Sequence, residues 1–345
     1  MFYCGADVHS KSTYLVVLDG KGREVLSGAV PTERKALLEA LKPYAKKGLK
    51  VIQETGSSMA FIQSVFEGTG VEVVTVHATA MKVITASKKK TDKRDAYHLA
   101  WASYKDALPE PVYVPTSSEQ ELRQLLSAQQ RIRKGRTEVS NGVRGQLKGF
   151  GIVLPARALT KHQGWEELMA RGLAPAMDLI VRESYGVWEV QTRALEAVER
   201  AIGDRTQGDE LVRRLKSIPY VGDACAAAIR AYLGDLDRFH GRKSVVSYAG
   251  FNPSQRDSGA RQVRGHLTRQ GPSRLRSVFV QAAHCLIGRG FKGHAGWKAW
   301  YERLLHRRGH RHIAVVAVAR RLYALAYQVG RSGQVYKASL SGSVK

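Results

Sequence analysis

Cysteine is scarce in this chain of 345 residues, which contains only Cys4, Cys225 and Cys285. Three thiols this far apart exclude a disulfide framework and a zinc knuckle, because both need paired or clustered cysteines. A reducing compartment, the cytoplasm, is therefore the expected location. Long apolar runs are also lacking, since the most apolar late segment, 313–327, is interrupted by two arginines and is too short to cross a bilayer. We expect no membrane partner and no secretion signal.

Acidic residues are few relative to basic ones. The chain has 55 Lys and Arg residues against 30 Asp and Glu residues, a net charge of +25. The imbalance is largest from Phe239 to Lys345, where 20 basic residues face only Asp257 and Glu302. An excess of this size is typical of a protein that neutralises a phosphate backbone. The length suffices for two or three domains with their own cores.

The first 76 residues predict an α/β layer. Residues 1–30 have the pattern of a three-strand meander, and residues 13–18 form its most apolar run. A helix capped by Thr32 and ending near Pro43, a strand at 49–53, a second helix and a β-branched strand at 71–76 follow. This order, βββαβαβ, is that of the RNase H-like fold. Fold alone does not give function.

Four carboxylates are placed at the ends of these predicted elements. Asp7 ends the first strand, Glu54 follows a later one, and Asp92 and Asp95 lie three residues apart at the start of a helix. Together they predict an all-oxygen site for one or two Mg²⁺ ions. Read singly, Asp7 is equally a turn cap and the other three are ordinary helix-end acids, and Gln53 is an alternative to Glu54. The cations beside the acids are candidate nucleic-acid contacts: Lys88, Lys89, Lys90, Lys93 and Arg94.

The middle of the chain, 117–206, has the sequence pattern of long helices. Two helices are predicted, at 119–150 and 175–202, and each has a stripe of apolar residues at helical spacing. A hairpin packed on its own domain and an intermolecular coiled coil explain these stripes equally well. Residues 204–209 have the composition of a linker into the last domain.

The last segment, 207–345, is predicted to be mainly helical. Residues 215–222 and the helix after them resemble a helix-hairpin-helix element, whose turn amides bind phosphate. A polar loop at 252–259 contains Ser258, which precedes a glycine in a stretch rich in cations. A serine in such a loop is more often structural than nucleophilic. The arginines predicted to contact phosphate are Arg256, Arg261, Arg264, Arg269, Arg274 and Arg276.

Taken together, these motifs resemble the DEDD-type recombinases of the insertion sequence one-hundred-and-ten family, which are related to the Piv-type DNA invertases. The resemblance covers most of the chain, and its most specific part is Lys90-Thr91-Asp92-Lys93-Arg94-Asp95-Ala96. The other matching motifs are residues 5–8, 54–56, 218–222, 249–253 and 258–259.

This resemblance implies a RuvC-like domain at 1–116, a helical coiled-coil region at 117–206 that can return a helix to the first domain, and a transposase domain at 207–345. It implies that Asp7, Glu54, Asp92 and Asp95 bind Mg²⁺ and that Ser258 is the nucleophile, forming a covalent phosphoserine link to DNA. Because this chain has Asp257-Ser258-Gly259 where relatives often have Ser-Ser-Gly, Ser254 is a second candidate nucleophile.

The expected partners are double-stranded donor and target DNA and a structured bridge RNA that chooses the target site by pairing. A homo-oligomer, a dimer of dimers, is expected through the helical region, with the acids of one protomer meeting the serine of another. The expected location is the nucleoid of a prokaryotic cytoplasm. Two alternatives are a RuvC-like structure-specific endonuclease that cuts with water and forms no covalent intermediate, and a DNA-packaging or repressor protein built on an inactive nuclease fold.

Overall fold

The chain divides into two compact units, Met1–Ser117 and Ser118–Lys345. The computed structural model describes residues 1–84, 91–258, 261–292 and 294–337. The description does not extend to the side chains of residues 82–84, 256–258 and 261–264. The predicted nucleic-acid contacts Lys88, Lys89 and Lys90 therefore lie outside the described residues.

The first unit combines a five-stranded sheet with helices. Its elements are β1 Phe2–Val8, β2 Ser12–Leu18, β3 Glu24–Pro31, α1 Arg34–Ala45, β4 Leu49–Glu54, α2 Met59–Phe66, β5 Glu72–Val76, α3 Ala78–Ile84 and α4 Asp92–Tyr104. The strands have the order β3-β2-β1-β4-β5. The central strand β1 is antiparallel to β2 and parallel to β4. The predicted order βββαβαβ is found, and this mixed α/β unit is compatible with an RNase H-like fold.

The two faces of β1 are covered by different helices. Side chains alternate along a strand, so Cys4 and Ala6 pack in the cluster with Leu37 and Leu41 of α1. On the opposite face, a Cβ at Gly5 would overlap the carbonyl oxygen of Ala96 in α4. Only glycine allows this close approach of helix and strand. The next residue of β1 on the α4 face is Asp7.

The start of α1 differs from the prediction. Thr32 does not cap the helix, which begins at Arg34 after Glu33 and continues through Pro43. The Thr32 hydroxyl instead donates to the backbone carbonyl of His9 at 2.8 Å. It therefore fixes the chain just after β1, beside the predicted acidic site.

The second unit begins with two long helices that enclose a small core of their own. The elements are α5 Ser117–Gly149, a 3-10 turn Ala158–Thr160, α6 His162–Met169, α7 Pro175–Thr206 and α8 Glu210–Lys216. Val143 and Leu147 of α5 pack with Trp165 of α6 and with Val181 and Trp188 of α7. Half of the predicted linker at 204–209 is helical, because α7 runs to Thr206 and α8 starts at Glu210.

The rest of the second unit is mainly helical, as predicted. The remaining elements are α9 Asp223–Leu233, α10 Arg242–Tyr248, β6 Pro253–Ser258, β7 Arg261–Leu267, α11 Ser273–Gly288, α12 Ala295–Arg308 and α13 Arg311–Ser332. The helices α8 and α9 are joined by the turn 217–222, so the two helices and turn of the predicted helix-hairpin-helix element are present.

The last helix, α13, is longer than the sequence predicts. Its 22 residues are long and apolar enough to span a membrane by those two criteria alone. However, 67% of its most apolar stretch is buried within the protein, and residues such as Val318, Leu322 and Tyr323 belong to the main core of the second unit. Burial, and not shortness, is therefore the reason to regard α13 as a core helix.

The predicted polar loop around Ser258 is wrong, because this segment forms an antiparallel hairpin of β6 and β7. Its backbone register pairs Gln255 with Arg264 and Ser258 with Arg261. Few of its residues are apolar, so the alternation that normally indicates a strand is absent. Ser258 is the last residue of β6, next to the tip of the hairpin.

Candidate active site

Asp7 lies one residue before the end of β1, on the face that α4 covers. Its side chain is partly buried. Burial raises the pKa of the Asp7 carboxyl; the nearby His9 opposes the shift, and the negative charges of Asp92 and Asp95 add to it. A positive charge that approaches Asp7 would therefore stabilise the ionised form of its side chain.

The first turn of α4 presents two further acids to Asp7. Thr91 caps the helix, since its side-chain oxygen accepts a hydrogen bond from the backbone N–H of Arg94 at 3.4 Å. Asp92 and Asp95 follow in the first turn, at the positively polarised helix end. The cap thus determines which residues of α4 face the end of β1.

His9 completes a tight group that the sequence did not predict. Its Nε2 lies 3.3 Å from a carboxylate oxygen of Asp7 and 3.6 Å from one of Asp92. One potential ligand atom from each of these three residues lies within 4.8 Å of the other two. Among the side chains that the structure describes, Glu54 and Asp95 do not join this group. The only signal for His9 in the sequence is its position two residues after Asp7.

The strand register bears on the choice between Gln53 and Glu54. Gly5 pairs with Ile52, and Ala6 pairs with Gln53. Continuing this register by one residue places Glu54 beside Asp7. Gln53 is buried on the other face, where its amide donates to the carbonyl of Met59 and to Thr75. Glu54 is exposed at the strand end. Alternation therefore favours Glu54 as the acid on the side of Asp7.

The cations near α4 fall into two groups. Lys93 is exposed and pairs with Glu24 of β3 at 3.3 Å, and Arg94 is exposed on the first turn of α4. Both are accessible to a nucleic acid. The triple lysine 88–90 lies outside the described residues.

In the second unit, the backbone of the β6–β7 hairpin is described but most of its side chains are not. The structure does not describe the side chains of Ser258, Arg256, Arg261 and Arg264. All four residues belong to the two paired strands, and Ser258 and Arg261 face each other across them. Ser254, the second candidate nucleophile, lies at the other end of β6, against Gly265 of β7.

The base of this hairpin is held by backbone contacts and one arginine. The guanidinium of Arg276 in α11 donates to the carbonyls of Ala249, at 2.8 Å, and of Gln270 and Gly271, both at 3.2 Å. It therefore joins the segment that enters β6 to the segment that leaves β7. Burial lowers the pKa of Arg276, and the positive charge of Arg269 acts in the same direction. Arg269 itself is exposed at the base of the hairpin.

Arg274 was predicted to contact phosphate, but the structure places it in the protein interior. Its guanidinium donates to the side-chain carbonyl of Gln129 in α5. Burial lowers the pKa of Arg274, and the positive charge of Arg133 acts in the same direction. In this position Arg274 packs between α5 and α11, whereas Arg276 supports the hairpin. Of the predicted arginines whose side chains the structure describes, Arg269 is the one that is accessible to phosphate.

The acidic cluster lies at the end of the central strand of the five-stranded sheet. Two family comparisons define the class of protein that carries it. Residues 4–152 match the DEDD transposase domain of the IS110 type, described as a transposase. Residues 212–296 match the transposase family IS116/IS110/IS902. Together the two matches span more than half of the chain.

Curated relatives agree with these matches. The transposase for insertion sequence element IS1111A of Coxiella burnetii is 25% identical over 309 residues, which are 88% of this chain and 83% of that protein. A probable family 20 transposase of Pseudomonas aeruginosa is 27% identical over 68% of this chain and 72% of its own length. The transposase for insertion sequence element IS1328 of Yersinia enterocolitica is 23% identical over 62% and 65%, respectively. The chain belongs to the IS116/IS110/IS902 family of insertion-sequence transposases.

Membership of this family makes the chain a DNA-cleaving and recombining enzyme, and DNA is its substrate. The reading as a packaging or repressor protein is therefore wrong. A DEDD-type domain implies a divalent metal ion. The donor set fits one, because a divalent cation offsets the repulsion between the two carboxylates that converge here. The imidazole of His9 makes this group differ from the predicted all-oxygen site.

Proposed function

We propose that this transposase cuts and rejoins donor and target DNA through a covalent phosphoserine link formed by Ser258, with Mg²⁺ as the metal ion. The observation that carries the proposal is the convergence of Asp7, His9 and Asp92 at the end of β1. Ser258 supplies the nucleophile because it lies within the matched transposase segment 212–296, at the end of a strand in an arginine-rich hairpin.

The proposed chemistry assigns a role to each group. Asp7 and Asp92, with Glu54 and Asp95 beside them, would hold the metal ion, which supplies Lewis acidity at the scissile phosphate when bound. The Ser258 hydroxyl loses its proton as its oxygen bonds to phosphorus, a P–O bond of the DNA breaks, and the departing sugar oxygen gains a proton. The serine ester conserves the energy of the broken phosphodiester bond for rejoining, so strand exchange needs no external energy source.

The partners in this proposal are double-stranded donor and target DNA and a structured bridge RNA. The charge of +25 supports binding to more than one polyanion. The family resemblance supports the RNA, whose pairing would choose the site, while exposed cations such as Lys93, Arg94 and Arg269 bind phosphate without reading sequence.

A denaturing gel tests the proposal directly. Wild-type protein is incubated with labelled DNA that carries the element end, with Mg²⁺ or with a chelator, and with or without the bridge RNA. We expect a slowly migrating labelled band that protease treatment removes, and we expect it only when the metal ion is present. Metal-dependent cutting with no linked band at any time point would instead indicate the endonuclease, which the acidic cluster of the first unit alone could support.

The helix α7 supports a homo-oligomer, which we propose is a dimer of dimers. The predicted apolar stripe divides in two, because Leu195 and Ile202 are buried within the unit whereas Leu179, Val187 and Val190 are 60, 50 and 57% exposed. Leu179 and Val190 are eleven residues apart, which places them within about 20° of each other around the helix. An exposed apolar stripe of this kind indicates a protein contact.

Replacing Leu179 and Val190 together by glutamate is expected to shift the protein to smaller assemblies, because each charge would be buried in the contact without a partner. Sedimentation velocity at several concentrations measures the change. Glu196→Lys, on another face of α7, is the matched control. A double variant that sediments like the wild type would show that this face is not the interface.

A further inference from the structure

The second unit contains a positively charged pocket that the proposed chemistry does not use. It lies beside the small core between α5 and α7, has a volume of about 230 Å³, and is lined by Arg136, Arg144 and Arg157 together with Thr137, Asn141 and Trp188. None of these residues belongs to the β6–β7 hairpin or to the acidic cluster.

Within the part of the chain that the structure describes, none of Arg136, Arg144 and Arg157 forms an ion pair with a carboxylate, whereas the nearby Arg133 and Lys134 do. The surrounding segment, 131–161, contains eight Lys and Arg residues and a single acid, Glu138, which pairs with Lys134 at 3.5 Å. Uncompensated guanidinium groups around one concave site favour an anionic ligand.

The backbone at Arg157 is held in a conformation that a non-glycine residue rarely adopts. Its φ is +71°, in the left-handed region. Two hydrogen bonds fix the turn after it: Thr160 donates to the carbonyl of Arg157 at 2.7 Å, and Ser140 of α5 donates to the carbonyl of Leu159 at 3.1 Å. Glycine would suit this position better by conformation alone, so the presence of an arginine points to a use for its side chain.

The opposite wall of the pocket is equally fixed. The guanidinium of Arg136 lies over the indole ring of Trp188 at 5.8 Å from the ring centre, and Trp188 is 2% exposed. Stacking on a buried ring limits the freedom of the charged group. Arg136 therefore meets a ligand at little further cost in side-chain entropy.

The size and chemistry of the pocket select the ligand. A volume of about 230 Å³ is smaller than that of sites that enclose a drug-sized molecule, about 300–1,000 Å³. Guanidinium groups match the tetrahedral oxygens of phosphate with paired hydrogen bonds. A phosphate group of a longer chain fits both constraints, and DNA is the substrate of this family.

We propose that the pocket formed by Arg136, Arg144 and Arg157 binds the phosphate backbone of duplex DNA and anchors it on the helical segment without reading its sequence. This site goes beyond the proposed serine chemistry and does not depend on it. Since a contact to phosphate carries no sequence information, losing it should weaken the binding of element-end and unrelated duplexes by the same factor.

The test measures the binding of full-length protein to labelled duplexes, of element-end and unrelated sequence, and to a labelled structured RNA, by fluorescence anisotropy over a range of salt concentrations. The variants are Arg144→Gln, Arg157→Gly and their combination. For each phosphate that a variant no longer neutralises, the slope of log affinity against log salt is expected to become less steep by about 0.9. Because the pocket holds one phosphate group, we expect the double variant to show this change of slope once on both duplexes, and each single variant to show a smaller change.

The choice of glycine at 157 separates binding from folding. Because glycine tolerates the left-handed conformation, Arg157→Gly is expected to keep or raise the melting temperature while DNA binding weakens. Should Arg157→Gly lower the melting temperature, Arg157→Asn, which also tolerates this conformation, replaces it in the same comparison.

Arg193→Gln is the matched control, since it removes one exposed arginine of α7 that does not line the pocket. An equal change of slope in Arg193→Gln would show that net charge, and not the pocket, governs binding. Unchanged slopes in the double variant, or a weakening limited to a structured RNA with duplex binding intact, would overturn the proposal.

Discussion

Replacing Asp7 by asparagine is expected to slow metal-dependent DNA cleavage strongly and to leave DNA binding and the fold in place. Asparagine has the size of aspartate but carries no charge, so the half-buried site loses an anionic ligand without creating a cavity. If the metal ion contributes several kcal/mol, about 4, to charge stabilisation, its loss slows cleavage on the order of 10³-fold. Single-turnover cleavage of labelled DNA, beside a binding titration with the same DNA, measures both effects.

The stability of this variant provides a separate check. Burial and the negative charges of Asp92 and Asp95 raise the pKa of Asp7, so the ionised side chain is unfavourable in the metal-free protein. Removing that charge is expected to leave the melting temperature unchanged or to raise it. Glu72→Gln, an exposed acid that pairs with Lys50 on the neighbouring strands, is the control and should cut normally. Cleavage by Asp7→Asn at the wild-type rate would remove Asp7 from the active site.

Much of the first unit could be predicted because its signals are local. The turn between β2 and β3, for example, is encoded by Asp19, whose carboxylate accepts the backbone N–H groups of Lys21 and Arg23. Apolar residues with the period of a strand and with the period of a helix alternate clearly along the sequence, and this pattern predicts the order of elements. The proximity of His9 to Asp92 is different in kind, since it depends on where α4 begins and how closely Gly5 lets that helix approach β1.

The second unit was harder to predict because its decisive contacts are remote in sequence. Arg274 belongs to a basic segment and resembled a surface cation, yet it bonds to Gln129, 145 residues earlier. The β6–β7 hairpin lacks the apolar alternation of a half-buried strand, so only backbone pairing reveals it. The arginine pocket was missed for the same reason, because Arg136 and Trp188 lie on different helices and meet only in the folded hairpin of α5 and α7.

Replacing Ser258 by alanine is expected to eliminate both the protein-linked DNA band and recombination. Alanine removes the hydroxyl oxygen that would form the proposed ester, and at the end of β6 it fits the same extended backbone as serine. The loss should therefore be complete, and not a change in rate, because the proposed ester cannot form without this oxygen. The denaturing gel and a recombination assay on paired donor and target DNA measure the two outcomes.

Ser254→Ala provides a closely matched control, because this serine lies on the same strand, four residues earlier and against Gly265. We expect it to retain the linked band. A band that disappears in Ser254→Ala and persists in Ser258→Ala would assign the nucleophile to Ser254. If Ser258→Ala cuts DNA as well as the wild type and neither protein forms a link, then water is the nucleophile, and the acidic cluster of the first unit acts as a hydrolytic centre by itself.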